Sequence, residues 1–323
     1  MKRTMKVQKK LTVIVIMVLL TIAALGTSTY AWFTLSNTAK VDQIDMGITS
    51  GVGIDLSLDA TEGWTNKVWK SKLTNEDFND LIKDVKLDAV TSHDGKSFYL
   101  KNSDVALDKS SNKYIELDIY FRASNVISFN EVNKKAGVYL VDYNDSTYSE
   151  DNSQLGGGTT VTSKGIVWKA DTTFKYSADK TLKPGDSETY YARDAIRLGF
   201  TRDDTNSVIF DLSTSSTADN YRGYNYEYGA ADYYKVKNNL ESIEKSTETQ
   251  TVVFNDQLSK IDEKAEADKD TSLISVLSKD GEYYYGKTTL RIWIEGWDGD
   301  CFNSILSDKI QAQLKFQFGI YDK

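Results

Sequence analysis

The sequence predicts a mainly β protein, an antiparallel two-sheet sandwich with helical insertions. Three observations carry that expectation. Apolar and polar residues alternate with a period of two in segment after segment, which places one face of each strand on a core. The alternation is one-sided, as in antiparallel sheets that leave a face in water. Seven or more such segments occur in 323 residues, enough for two packed sheets.

The strands follow in order. Val52, Ile54, Leu56 and Leu58 alternate with Gly53, Asp55 and Ser57. Ile115, Leu117, Ile119 and Phe121 alternate with Tyr114, Glu116, Asp118 and Tyr120. Val138–Val141 and Ser207–Phe210 are shorter runs, and Ile196, Leu198 and Phe200 flank Arg197 and Gly199. Leu290, Ile292 and Ile294 alternate with Arg291, Trp293 and Glu295. The clearest strand is the last: from Lys309, Ile310, Ala312, Leu314, Phe316, Phe318 and Ile320 lie on one face. A helix would smear these residues around its circumference.

Helices are few. Thr74 is a candidate cap before Glu76 and Asp77, with Phe78, Leu81, Ile82 and Val85 as a stripe. A second helix is expected over Asp232–Lys245, with Val236, Leu240 and Ile243 inward, and a third from Phe254 to about Ala267. A short one over Cys301–Leu306 should join the last two strands and make them pair or neighbour each other. Residues 60–110 and 213–287 read as insertions, and 144–165, with Gly156–Gly158, as a long loop. Pro184 is the sole proline, and no repeat of 20–50 residues is visible, so 32–323 reads as one domain.

The N-terminus reads as an export signal. Lys2, Arg3, Lys6, Lys9 and Lys10 precede the apolar run Leu11–Leu25, and Gly26–Ala31 is small and weakly polar apart from Tyr30. The natural cut follows Ala31, before Trp32; the alternative is an uncleaved anchor, since Leu11–Phe33 exceeds the roughly 20 residues that span a bilayer. Cleavage removes five cations and no acid, taking the net charge from −8 to −13. The product is expected to be secreted, at the cell surface or beyond, and to touch membrane only through the uncleaved segment. An acidic chain of pI near 4.9 also argues against binding nucleic acid.

Two motifs carry a resemblance. Thr29-Tyr30-Ala31-Trp32-Phe33-Thr34, directly after the apolar run, resembles the junction of bacterial proteins processed by the signal peptidase SipW, the group of the biofilm-matrix subunit TasA and the camelysins. Arg291–Cys301 resembles a C-terminal strand of that group. Together they cover about 20 residues, one motif at each end. The resemblance implies a jelly-roll-like sandwich, a SipW-like peptidase as processing partner, and assembly outside the cell with copies of itself or other matrix proteins. It also implies that the freed segment Trp32–Val41, with Phe33 and Leu35 on one side, adds as a strand to a neighbour's sheet.

Little in the chain reads as reactive chemistry. It has no G-x-S-x-G, P-loop or H-E-x-x-H motif, and no cofactor is expected. One cysteine forms no internal disulfide, and one histidine, His93 in a turn-like Thr91–Gly95, builds no His-rich zinc site. Camelysins are described as metalloproteases, but this chain has no His pair to carry that activity. Asp142, Asn144 and Ser146 space oxygens as a calcium loop does, yet Thr147 and Ser153 replace the required Gly and Glu; these residues, like Asp298–Asp300, read as turns. Cys301 is expected buried, with pairing between chains as the alternative.

Tyr221, Tyr224, Tyr226, Tyr228, Tyr233 and Tyr234 crowd fourteen residues, and Tyr283–Tyr285 follow. They are either ordinary strand residues or an aromatic platform for sugars or proteins. The function expected is therefore a non-enzymatic structural protein, with an extracellular binding module for a carbohydrate or envelope ligand, using Tyr221, Tyr224, Tyr226 and Tyr228, as the alternative.

Overall fold

The computed structural model describes residues 41–51, 53–101, 103–124, 128–151, 158–203, 205–213, 227–243 and 250–322. They form β1 (Val41–Ser50), β2 (Ile54–Ser57), β3 (Lys72–Leu73), β4 (Ala89–Thr91), β5 (Phe98–Leu100), β6 (Ala106–Leu107), β7 (Ile115–Ala123), β8 (Lys134–Leu140), β9 (Thr160–Ser163) and β10 (Ile166–Lys169). There follow β11 (Phe174–Lys175), β12 (Thr181–Leu182), β13 (Ser187–Tyr190), β14 (Ile196–Arg202), β15 (Ser207–Asp211), β16 (Val252–Phe254), β17 (Leu273–Asp280), β18 (Tyr283–Glu295) and β19 (Asp308–Asp322). Two α-helices accompany them, α1 (Asn75–Ile82) and α2 (Ala230–Asn238).

Two layers result, joined by one strand. The first runs β3-β1-β19-β8-β17, with β9 beside β8 on the same edge of β19. The second runs β16-β15-β14-β18-β7-β2, with β4, β5 and β6 continuing from the far end of β18. β17 belongs to both: Leu273–Leu277 pair with β8, while Ser278–Asp280 pair with β18 across a tight turn. Gly281 takes a positive φ of 62° in that turn, where a side chain is disfavoured. The layers meet through Phe316, whose ring packs edge-on against Phe121 at 5.5 Å and Phe200 at 6.0 Å. Pairing is mostly antiparallel, with three parallel pairs among the described residues: β1 with β19, β15 with β16, and β4 with β18.

The alternating segments become these strands. Ile115, Leu117, Ile119, Phe121 and Ala123 are buried in strict alternation along β7, and Ile310–Ile320 supply the opposing wall from β19. Thr74 precedes α1, its backbone N–H donating to Asp77 at 2.8 Å, and Phe78 and Ile82 are buried, whereas Leu81 is 51% exposed.

Other expectations are corrected. The last two strands neither pair nor adjoin: β18 is central to one layer and β19 to the other. The second helix is shorter and differently turned. It stops where Asn239 adopts a left-handed conformation; Ala231 and Tyr233 are buried, while Val236 and Leu240 are 42% and 41% exposed. No third helix forms: Val252–Phe254 is a strand, Asn255–Gln257 a 3-10 turn, and an irregular segment follows. There Leu258 joins the core, and Ile261 packs against both that core and the cluster of Tyr139 and Val141. The expected insertion 213–287 contains β17 and the start of β18, which are integral to the sheets.

Candidate functional site

The export junction Ala31–Trp32, the strand residues Phe33 and Leu35, and Tyr221, Tyr224 and Tyr226 lie outside the described residues. Tyr228 is half-buried, with the Lys175 amine 5.8 Å from its ring centre. Tyr233 is a core residue beside Phe174 and Phe302, and Tyr234 packs edge-on against Trp297.

The Arg291–Cys301 motif folds into a buried ionic clamp. Arg197 looks from the alternation like a solvent-facing residue, but it is 0% exposed. Its guanidinium reaches Asp298 at 2.6 Å and Asp211 at 3.2 Å, and its Nε donates to Gln250 at 3.4 Å. Glu295 accepts from the Trp293 indole, the Gln250 amide and the backbone N–H groups of Ser92 and Trp297. Burial works against the charge on Arg197; Asp211, Asp298 and Glu295 overcome it and hold the guanidinium above its ordinary value. Burial also dominates Asp298. Arg197 opposes it, Asp300 and Asp211 reinforce it, and the carboxyl is pushed up to about 8.

The turn beyond ties further elements to this clamp. Gly299 O accepts the Ala230 N–H at the start of α2, Asp300 accepts from the Tyr176 hydroxyl, and the Lys101 amine donates to Cys301 O at 3.1 Å. Burial lowers the Lys101 amine and raises the Cys301 thiol to about 12. These hydrogen bonds are internal, so the motif locks strands, helix and turn together. The calcium-like spacing resolves similarly, with Asp142 ion-paired to Lys315. Among the described residues, no group of three or more His, Cys, Asp or Glu is placed to hold a metal ion.

A different aromatic group does reach the surface. On the outer face of the second layer, Tyr120 and Arg122 of β7 stand opposite Lys287 and Tyr285 of β18. The segment between β2 and β3 folds over them. Trp64 stacks on Tyr285 with ring centres 5.0 Å apart and planes 14° from parallel. Arg122 lies 5.0 Å from the ring centres of both Trp69 and Tyr283. The segment is braced internally: the Lys67 amine donates to the carbonyls of Asp59 at 2.6 Å and Thr61 at 2.7 Å, and the Trp69 indole donates to Trp64 O at 3.2 Å. Trp64, Trp69, Tyr120 and Tyr283 remain half-buried. Tyr283–Tyr285 stand out in the sequence as a cluster, but their partners come from two other stretches, 64–69 and 120–122, far away along the chain.

Compared with known protein families and with curated proteins, the sequence matches none of them.

Proposed function

We propose that this chain is an exported, non-enzymatic structural protein of the bacterial cell surface or biofilm matrix, processed by a SipW-like peptidase and assembling through its mature N-terminal segment. The observation that carries the reading is the position of β1. Residues 32–40 lead directly into it, and it is paired in parallel with β19 from Val41 to Ser50. On its other edge Ile48 and Thr49 pair with β3, and the Ser50 N–H donates to Ser71 O at 3.3 Å. Asn75 occupies that edge further along, accepting from the Met46 N–H at 3.2 Å and donating to Asp45 at 2.9 Å. A strand added to a neighbour by residues 32–40 would be continuous with a strand anchored in this core.

The test compares mature 32–323 with a product beginning at Val41, which retains all of β1. A cut at Gly47 would remove Met46 from the core and measure stability instead. Electron microscopy and sizing should show oligomers or fibres for the longer product and monomers for the shorter. Equal behaviour of the two would end the assembly reading.

A further inference from the structure

We infer that the outer face of the second layer, around Trp64, Trp69, Tyr120, Arg122, Tyr283 and Tyr285, is a binding platform for an uncharged polysaccharide. This goes beyond assembly: it uses other residues and a different partner.

Three features point to that ligand. The first is ring geometry. One face of Trp64 is occupied by Tyr285 at 5.0 Å, and the indole is still half-buried rather than enclosed. A sugar ring offers an apolar C–H face to such an indole and hydroxyls at its edge, which suits aromatic side chains with polar neighbours. The second is charge. Arg122 is held by Asp55 through Nε at 3.1 Å and Nη2 at 2.6 Å, Lys287 pairs with Asp118 at 2.8 Å, and Lys67 is committed to two carbonyls. An anionic polymer would have to break these pairs, whereas hydroxyl groups can bond to their remaining lone pairs and protons. The third is the shortage of aliphatic surface. Val68, 63% exposed, is the sole large exposed aliphatic side chain of the segment between β2 and β3, too little for a lipid or a protein helix. The internal bracing by Lys67, Asp59 and the Trp69 indole fixes the platform before a ligand arrives, which lowers the ordering cost of binding.

The mature chain should be retarded in native gels containing hydroxyethyl cellulose, dextran or laminarin. Trp64→Ala, Trp69→Ala and Tyr283→Ala should each weaken retardation by about tenfold, the scale of one lost aromatic contact. Trp64→Phe should restore much of it, and Tyr228→Ala should leave it unchanged. Thermal unfolding identifies any variant that fails to fold, and quenching of tryptophan fluorescence in the parent gives a readout independent of mobility and assembly. Binding to none of the three neutral glycans, binding confined to anionic alginate, or equal retention by folded Trp64→Ala and Tyr283→Ala overturns the inference. A monomeric chain that still binds would leave it standing while ending the assembly reading.

Discussion

Replacing Arg197 by Met removes the cation at the centre of the clamp and leaves a side chain of similar reach. Arg197, Asp211, Asp298 and Glu295 are each 0% exposed, so no water takes over the lost contacts at 2.6 Å and 3.2 Å. Breaking one side of a buried ion pair costs about 3–5 kcal/mol, a large part of the roughly 5–15 kcal/mol by which domains are stable. The cost should depend on pH. Asp298 is already pushed up to about 8, and without Arg197 its proton is held more firmly still, so the Arg197→Met penalty shrinks in acid. Denaturant unfolding followed by tryptophan fluorescence at about pH 5 and about pH 9.5, on either side of the Asp298 titration, measures both effects. A loss below about 1 kcal/mol, the scale of surface substitutions, or a loss equal at the two pH values, refutes the assignment of the clamp.

Four further outcomes follow from particular contacts. Asp298 has a folded value near 8, above the ordinary 3.8, so its contribution is fully present below about pH 4 and is lost as pH rises through 8; Asp298→Asn should flatten that slope in unfolding measured across pH. Phe316→Ala empties the space between Phe121 and Phe200 and should cost about 3–5 kcal/mol by denaturant titration. Gly229→Ala should cost about 2 kcal/mol or more in the same assay, because φ is +57° and a Cβ would lie 2.1 Å from Gly299 O. Burial and a thiol raised to about 12 should keep Cys301 unmodified by iodoacetamide until the protein unfolds, and rapid labelling of the native chain would contradict this.

Strand positions were legible because alternation is local: a residue and the one two places on report the same face. Ile310–Ile320 and Ile115–Phe121 therefore read correctly from their own side chains. The start of α1 was legible for the same reason, since Thr74 and Asp77 are three residues apart. Pairing is not local. Nothing within 288–321 indicates that β18 and β19 occupy different layers, because that depends on β17 crossing between them.

The buried clamp and the aromatic platform show the same division. By itself the sequence determined a mainly β chain of alternating strands, with a basic, then apolar, stretch before Trp32. The tertiary structure alone decided that Arg197 and Trp293, polar-face residues by alternation, are buried, because Val90, Phe98 and Gln250 from distant segments cover that face. It likewise brought Trp64 and Trp69 onto Tyr120, Arg122 and Tyr285, residues far apart along the chain. The physical reason is that a side chain's period fixes which face it shares, while burial and charge pairing depend on what the rest of the chain lays over that face.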